Sequence, residues 1–154
     1  MGWFFGFKLH LICNEKGELL NFMITPGDID DRKPLEYKAF IDLIYGKLFG
    51  DKGYIGKNLF QRLFADGIQL ITKLKSNMKG ALISVSDRLL LRKRAIIETV
   101  NDEPKNIAQV EHSRHRCFDN FIVNLLGAIA AYCLFPKKPC INVQRTIDTQ
   151  LALF

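Results

Sequence analysis

At 154 residues the chain has the size of one domain and is long enough to bury a core. Apolar residues make up 48%, which excludes a disordered chain, and the net charge of +6 points to a polyanionic partner, nucleic acid before an acidic membrane. The longest hydrophobic run, Phe121 to Phe135, contains Asn124 and Gly127 and is shorter than the ~20 residues of a membrane span, so it reads as a buried core helix.

Trp3 to Cys13 is rich in aromatic and β-favouring residues. Phe5, Phe7, Leu9 and Leu11 alternate with Lys8 and His10, which predicts a strand. Asn14-Glu15-Lys16-Gly17 is a turn, and Glu18 to Thr25 is the second strand of a hairpin. Pro26-Gly27 ends it, and Asp28, Asp30 and Asp31 follow in a polar loop as turn and helix-capping residues.

Pro34 suits the first turn of a helix, and Leu35, Phe40, Leu43 and Ile44 carry helical spacing up to Gly46. Lys47 to Gly50 reads as a short buried strand that stops at Asp51. A helix over Lys57–Ala65, ended by Asp66-Gly67, and a strand over Ile68–Thr72 come next. From Lys73 to Arg94 seven basic residues face one acid, Asp87. Ser86 is placed to cap a helix from Asp87 to about Asn106, with Pro104 near its end. The last helix covers Phe118 to Phe135 and stops at Pro136 and Pro139. The expected organisation is one domain over residues 1–135 and a tail over 136–154 with little signal. This order of strands and helices predicts α/β architecture with a mixed sheet.

The four cysteines have no regular spacing and read as reduced thiols in the cytoplasm. His112, His115 and Cys117 form a tight group, but there is no Cys-x-x-Cys pair, and Arg114 and Arg116 interleave and repel a cation.

Two acids stand out. Asp51 ends an apolar run and opens the glycine-bearing turn Lys52-Gly53-Tyr54; Glu98 follows a basic cluster, Arg92-Lys93-Arg94. Hard divalent ions want carboxylate oxygens, and strand ends and helix faces are rigid places from which carboxylates converge. Taken singly, Asp51 is an ordinary turn residue and Glu98 an ordinary solvated helix residue. Spacing strengthens the second case: Arg94 lies four residues before Glu98 and Lys105 seven after it. On a continuous helix all three share one face. The plain alternative is an Arg–Glu pair worth about 0.3–0.5 kcal/mol.

The pattern Arg94-x3-Glu98-x6-Lys105 resembles the segment around the catalytic glutamate of bacterial insertion-sequence DDE transposases. Gly50-Asp51-Lys52-Gly53-Tyr54 looks like the second catalytic aspartate of the same enzymes. Gly6-Phe7-Lys8-Leu9-His10, Thr25-Pro26-Gly27 and Glu111-His112-Ser113-Arg114-His115-Arg116 look like their intervening and trailing landmarks, in the right order, and the nearest group is the insertion-sequence nine-eighty-two family. Two departures are Leu91, where the signature often has Tyr, and Pro104 directly before Lys105.

The resemblance implies a ribonuclease-H-like mixed sheet with flanking helices, and metal-dependent cleavage and strand transfer of DNA. It implies Asp51 and Glu98 as catalytic metal ligands for Mg2+ or Mn2+. Arg92, Lys93, Arg94, Lys105, Arg114 and Arg116 become contacts to transposon inverted-repeat DNA. It places the first catalytic aspartate on a central strand ahead of Trp3–Cys13, and the sequence is therefore expected to be the C-terminal part of the catalytic domain, inactive alone, with weak metal binding or none. Without that strand, its two neighbours are expected either to pair directly or to leave the sheet split. Two other readings stay open: a basic DNA-binding module that regulates full-length transposase, and an active metal nuclease with a rearranged site. Salt-dependent binding without cleavage separates these from each other.

Overall fold

A computed structural model describes residues 6–73, 84–93, 96–100, 102, 117–140 and 151–153. The hairpin forms as its alternation predicts: β1 is Phe7–Asn14 and β2 is Leu19–Pro26, antiparallel, with Phe7 opposite Pro26 and Leu11 opposite Phe22. Between them Asn14 builds the turn. Its side-chain oxygen accepts the backbone N–H groups of Lys16 and Glu18, both at 3.0 Å, and Gly17 takes a positive φ of 72° that suits glycine. The register shifts between Ile12 and Cys13, which keeps Leu19 and Phe22 on the same side despite their odd separation.

The helix expected from Pro34 to Gly46 is broken in two. A 3-10 turn, Lys33–Glu36, has Pro34 in its first turn, and α1 is only Lys38–Ile41. Tyr37 between them is extended (φ −85°, ψ 117°), and Asn21 donates to the carbonyls of Ala39 and Phe40 at 3.1 Å each. A side-chain amide from β2 thus serves carbonyls that a longer helix would have satisfied internally.

β3 (Gly46–Gly50), α2 (Lys57–Ala65) and β4 (Ile68–Thr72) follow as a parallel unit, with Leu48 level with Leu70. Gly46 and Gly67, both at positive φ, end the two connections, and the N–H of Gly46 donates to the Gly67 carbonyl. α3 is Val85–Lys93, and a helical stretch, α4, covers 96–100. The remainder of the helix expected to run to Asn106 lies outside the described residues. The cap is Ser84 and not Ser86: Ser84 Oγ accepts the N–H of Asp87 at 3.0 Å. Each serine has an acid or helix former in reach, and the one two residues earlier starts the helix.

α5 (Phe118–Leu134) buries one stripe, Leu125, Ala128, Ile129 and Tyr132, while Val123, Leu126 and Leu134 are exposed. The expected core helix is therefore a one-sided cover, packing at i, i+3, i+4 and i+7. Among the described residues no helix is long and apolar enough to cross a membrane. The Lys138 ammonium donates to the carbonyls of Cys133 and Phe135 and finishes α5 before the proline region.

The five-stranded sheet has the order β2-β1-β5-β3-β4, where β5 is Leu151–Leu153. β5 is antiparallel to β1 and parallel to β3. This mixed α/β architecture is compatible with the ribonuclease-H-like expectation. The gap between β1 and β3 is neither closed by direct pairing nor left split; a short segment from beyond Pro136 fills part of it. Three residues are too few for any periodicity to show in the sequence.

Each face of the sheet has its own core. On one side Ile12, Leu48, Ile68 and Leu70 meet Leu35, Phe40, Ile41 and the α2 residues Leu59 and Leu63. On the other, Leu11, Cys13, Phe49 and Ile71 meet Leu91 of α3, Ile96, Ile97 and Val100 of α4, and Tyr132 of α5. The Tyr132 hydroxyl donates to the Gly17 carbonyl at 2.6 Å. A Cβ at Gly17 would run into the Pro139 carbonyl oxygen.

Candidate nucleic-acid-processing site

Asp51 stands at the C-terminal end of β3. Phe49, two residues earlier, is fully buried in the second core, and alternation along an extended backbone assigns Asp51 to the same face. Asp51 is itself extended (φ −81°, ψ 172°) and exposed. It heads the 3-10 turn Lys52–Tyr54, but its carboxylate makes no capping bond to that turn; only its backbone carbonyl accepts the Tyr54 N–H.

Glu98 is exposed on α4, between Ile97 and Val100, which are buried in the core that holds Phe49. The helix that carries Glu98 is thus packed on the sheet face to which Asp51 belongs. That shared face is what the structure brings together. Among the described residues no group of three or more His, Cys, Asp or Glu side chains is close enough to hold a metal ion.

Of the expected DNA contacts, Arg92 is exposed on α3, and Lys93 is the last residue of that helix. Arg94, Lys105, Arg114 and Arg116 lie outside the described residues, as do His112 and His115 of the histidine cluster. α3 is fixed to the sheet by an ion pair that the sequence did not suggest. The Lys47 ammonium at the start of β3 lies 2.8 Å from the Asp87 carboxylate in the first turn of α3, and Asp87 is buried. The only acid in the basic stretch serves as its anchor.

The Asp28–Asp31 loop is engaged in its own contacts, as turn residues should be. Asp30 accepts two bonds from the Arg32 guanidinium, and these hold its carboxyl well below the usual carboxylate range. Asp31 pairs with Lys8 at 2.9 Å. Beside them His10 is buried, with Nε2 2.9 Å from the Thr25 hydroxyl. Burial lowers its pKa, Asp31 partly opposes this, and Lys8 adds to the lowering. Cys13 is buried and its thiol is pushed up to about 12 by desolvation, so it is inert; Cys117, Cys133 and Cys140 are exposed free thiols.

The chemistry available is that of two exposed carboxylates over one sheet face, flanked by a basic helix. Both offer hard oxygen donors of the kind magnesium or manganese takes. A family model described as a transposase DDE domain matches residues 1–118. No curated protein and no solved structure matches the chain.

Proposed function

Because this chain belongs to the family of transposase DDE domains, we propose that Asp51 and Glu98 are two of the carboxylates of its phosphodiester-processing site. The observation that carries this reading is the common face: Phe49, one alternation before Asp51, packs in the same cluster as Ile97 and Val100, which flank Glu98. Bound Mg2+ or Mn2+ would activate the attacking oxygen and stabilise the leaving one. The protein's own part is to orient the two carboxylates from a strand end and a packed helix, and to hold DNA.

The DNA is that of transposon inverted-repeat ends, contacted by Arg92, Lys93, Arg94, Lys105, Arg114 and Arg116. Two assigned acids fall short of the three that complete such a site, so this reading gives Asp51 and Glu98 by themselves weak metal binding and no strand joining. The net charge of +6 also favours a second reading, a basic DNA-binding module that acts on full-length transposase in the cytoplasm.

Pre-cut transposon ends incubated with the chain and magnesium or manganese test this. The expected result is DNA binding that weakens steeply with salt, a log–log slope of about −0.9 per phosphate neutralised, and no nicking or joining. Nicking or joining that disappears in Asp51→Asn and Glu98→Gln would confirm the two acids and overturn the inactivity. Activity that survives both substitutions would overturn the assignment itself.

A further inference from the structure

Three aromatic rings meet without belonging to either buried cluster. Phe7 opens β1, and Phe118 and Phe121 stand three residues apart in the first turn of α5. The Phe7 ring lies 4.9 Å from that of Phe118, tilted by 44°, and 6.0 Å from that of Phe121, stacked at 22°. Rings that serve packing alone are buried by their contacts. Here Phe7 is 49% and Phe118 51% exposed, and only Phe121 is half-buried. The backbone beside Phe7 is open as well, since a Cβ at Gly6 would meet nothing within 4 Å. The helical side of the cluster is polar at its edge, where Asp119 and Asn120 are both exposed. Half-open rings with a polar rim offer area to a flat, amphipathic ligand and do not form an apolar trough for a helix.

The cluster lies on the face of the candidate site. Phe7 alternates with Leu9, Leu11 and Cys13, which pack in the second core. Through β5, Cys13 is level with Phe49, so Leu11 comes level with Asp51, and Phe7 stands four residues further toward the same end of the sheet. Strand geometry makes this about 13 Å along the sheet and about 10 Å across it. A strand of about five stacked nucleotides covers that span, and fewer do when it is extended. The charge suits such a ligand: Arg88 and Arg92 are exposed on α3, which packs on this face, and Arg114 and Arg116 come shortly before Phe118 in the sequence. A second exposed pair, Phe60 and Phe64, is stacked at 11°. It sits on α2, which covers the opposite face, and Arg62 between the two is paired with Glu36.

We propose that Phe7 and Phe118 form a stacking platform for unpaired bases of a DNA strand that continues from the candidate site. Every base has an apolar face to lay on a ring, so the platform reads the absence of pairing and not the sequence. A duplex keeps its bases stacked on each other and offers the rings nothing. The proposal deepens the functional reading above and rests on it for DNA as the partner.

The probes are a fluorescent duplex of about 20 base pairs with a tail of about six unpaired thymidines, and the same duplex blunt, titrated with the chain in the absence of metal. The expected result is binding at least about fivefold tighter to the tailed duplex. Phe7→Leu and Phe118→Leu should remove that preference, while Phe60→Leu and Phe64→Leu, on the other face, should leave it unchanged. Equal affinity for the two probes, or binding to neither, overturns the proposal. So does a preference that survives Phe7→Leu and Phe118→Leu, or one that Phe60→Leu and Phe64→Leu remove as well. A dimer of the unchanged chain that Phe118→Leu dissolves also overturns it, since the rings then meet a second copy. Should the Phe7 and Phe118 variants fail to fold, the unchanged chain decides: a tail carrying 5-iodouracil should photo-crosslink to Phe7 or Phe118, and adducts confined to other residues, or none, refute the platform. The two failures are distinguishable. A chain that binds the blunt duplex without preferring the tail loses the platform alone, and one that binds the tail but no duplex loses the functional reading alone.

Discussion

The two faces of the sheet are built from different kinds of sequence. One core draws its helical side from a continuous stretch, Leu35 to Leu63, closed by the β3–α2–β4 unit. The other is assembled from residues as far apart as Leu11 and Tyr132, and its helices expose Arg88, Arg92 and Glu98. The first face is scaffold made of local contacts. The second combines distant segments and bears every described candidate residue. The proposed chemistry, which needs convergent charges, would draw on the face where the chain returns to itself from far away.

Truncating a large side chain on each face breaks this comparison most directly. Leu63→Ala and Phe49→Ala should cost about 2–5 and about 3–5 kcal/mol by denaturant titration. At temperatures where both stay folded, only Phe49→Ala should also weaken DNA binding, because it undercuts the strand end and the helix of Glu98. Equal effects on binding would erase the functional difference between the faces.

Lys47→Met sharpens it at smaller cost. Asp87 would be left buried without its cation, a loss of about 1–3 kcal/mol after allowance for the partial exposure of Lys47. α3 should loosen before β4, which amide exchange reads residue by residue. The smallest expected effect is that of pH on the hairpin. His10 has a folded pKa below its ordinary 6.5, so the unfolded chain binds the extra proton first. Its contribution is fully present above pH 6.5 and is lost as pH falls through the lowered value. The melting temperature of the unchanged chain should therefore fall more, from pH 7 toward 5, than that of His10→Gln; parallel curves would show that His10 is not a source of acid sensitivity.

Strong periodicity made most of the scaffold legible from the sequence. α2 has the expected bounds, Lys57–Ala65, and β4 the expected Ile68–Thr72. β3 differs by one residue at its start and α5 by one at its end. What escaped had physical reasons. Tyr37 breaks a helix whose spacing was sound, because tertiary bonds from Asn21 outweigh propensity. Ser84 and Ser86 are equivalent caps by composition, and only the fold selects one. The Lys47–Asp87 pair spans 40 residues and leaves no local trace. Asp51 by itself reads as an ordinary turn residue, and the resemblance of Gly50-Asp51-Lys52-Gly53-Tyr54 to a family landmark is what singled it out. The shared face with Glu98 became visible only through Phe49, Ile97 and Val100.

The hydrogen bond from Tyr132 to the Gly17 carbonyl joins residues 115 apart in sequence. During synthesis on a ribosome the opening hairpin is complete early, yet its turn has no docking partner until that tyrosine emerges. The hairpin's second-core face, Leu11 and Cys13 among it, meets Phe49, Ile71, Leu91, Ile96, Ile97 and Val100 first in chain order, and Tyr132 is the last buried member of that cluster to be made. Docking of this long-range tie is thus a late step, of the kind that leaves a chain open to aggregation until it is complete.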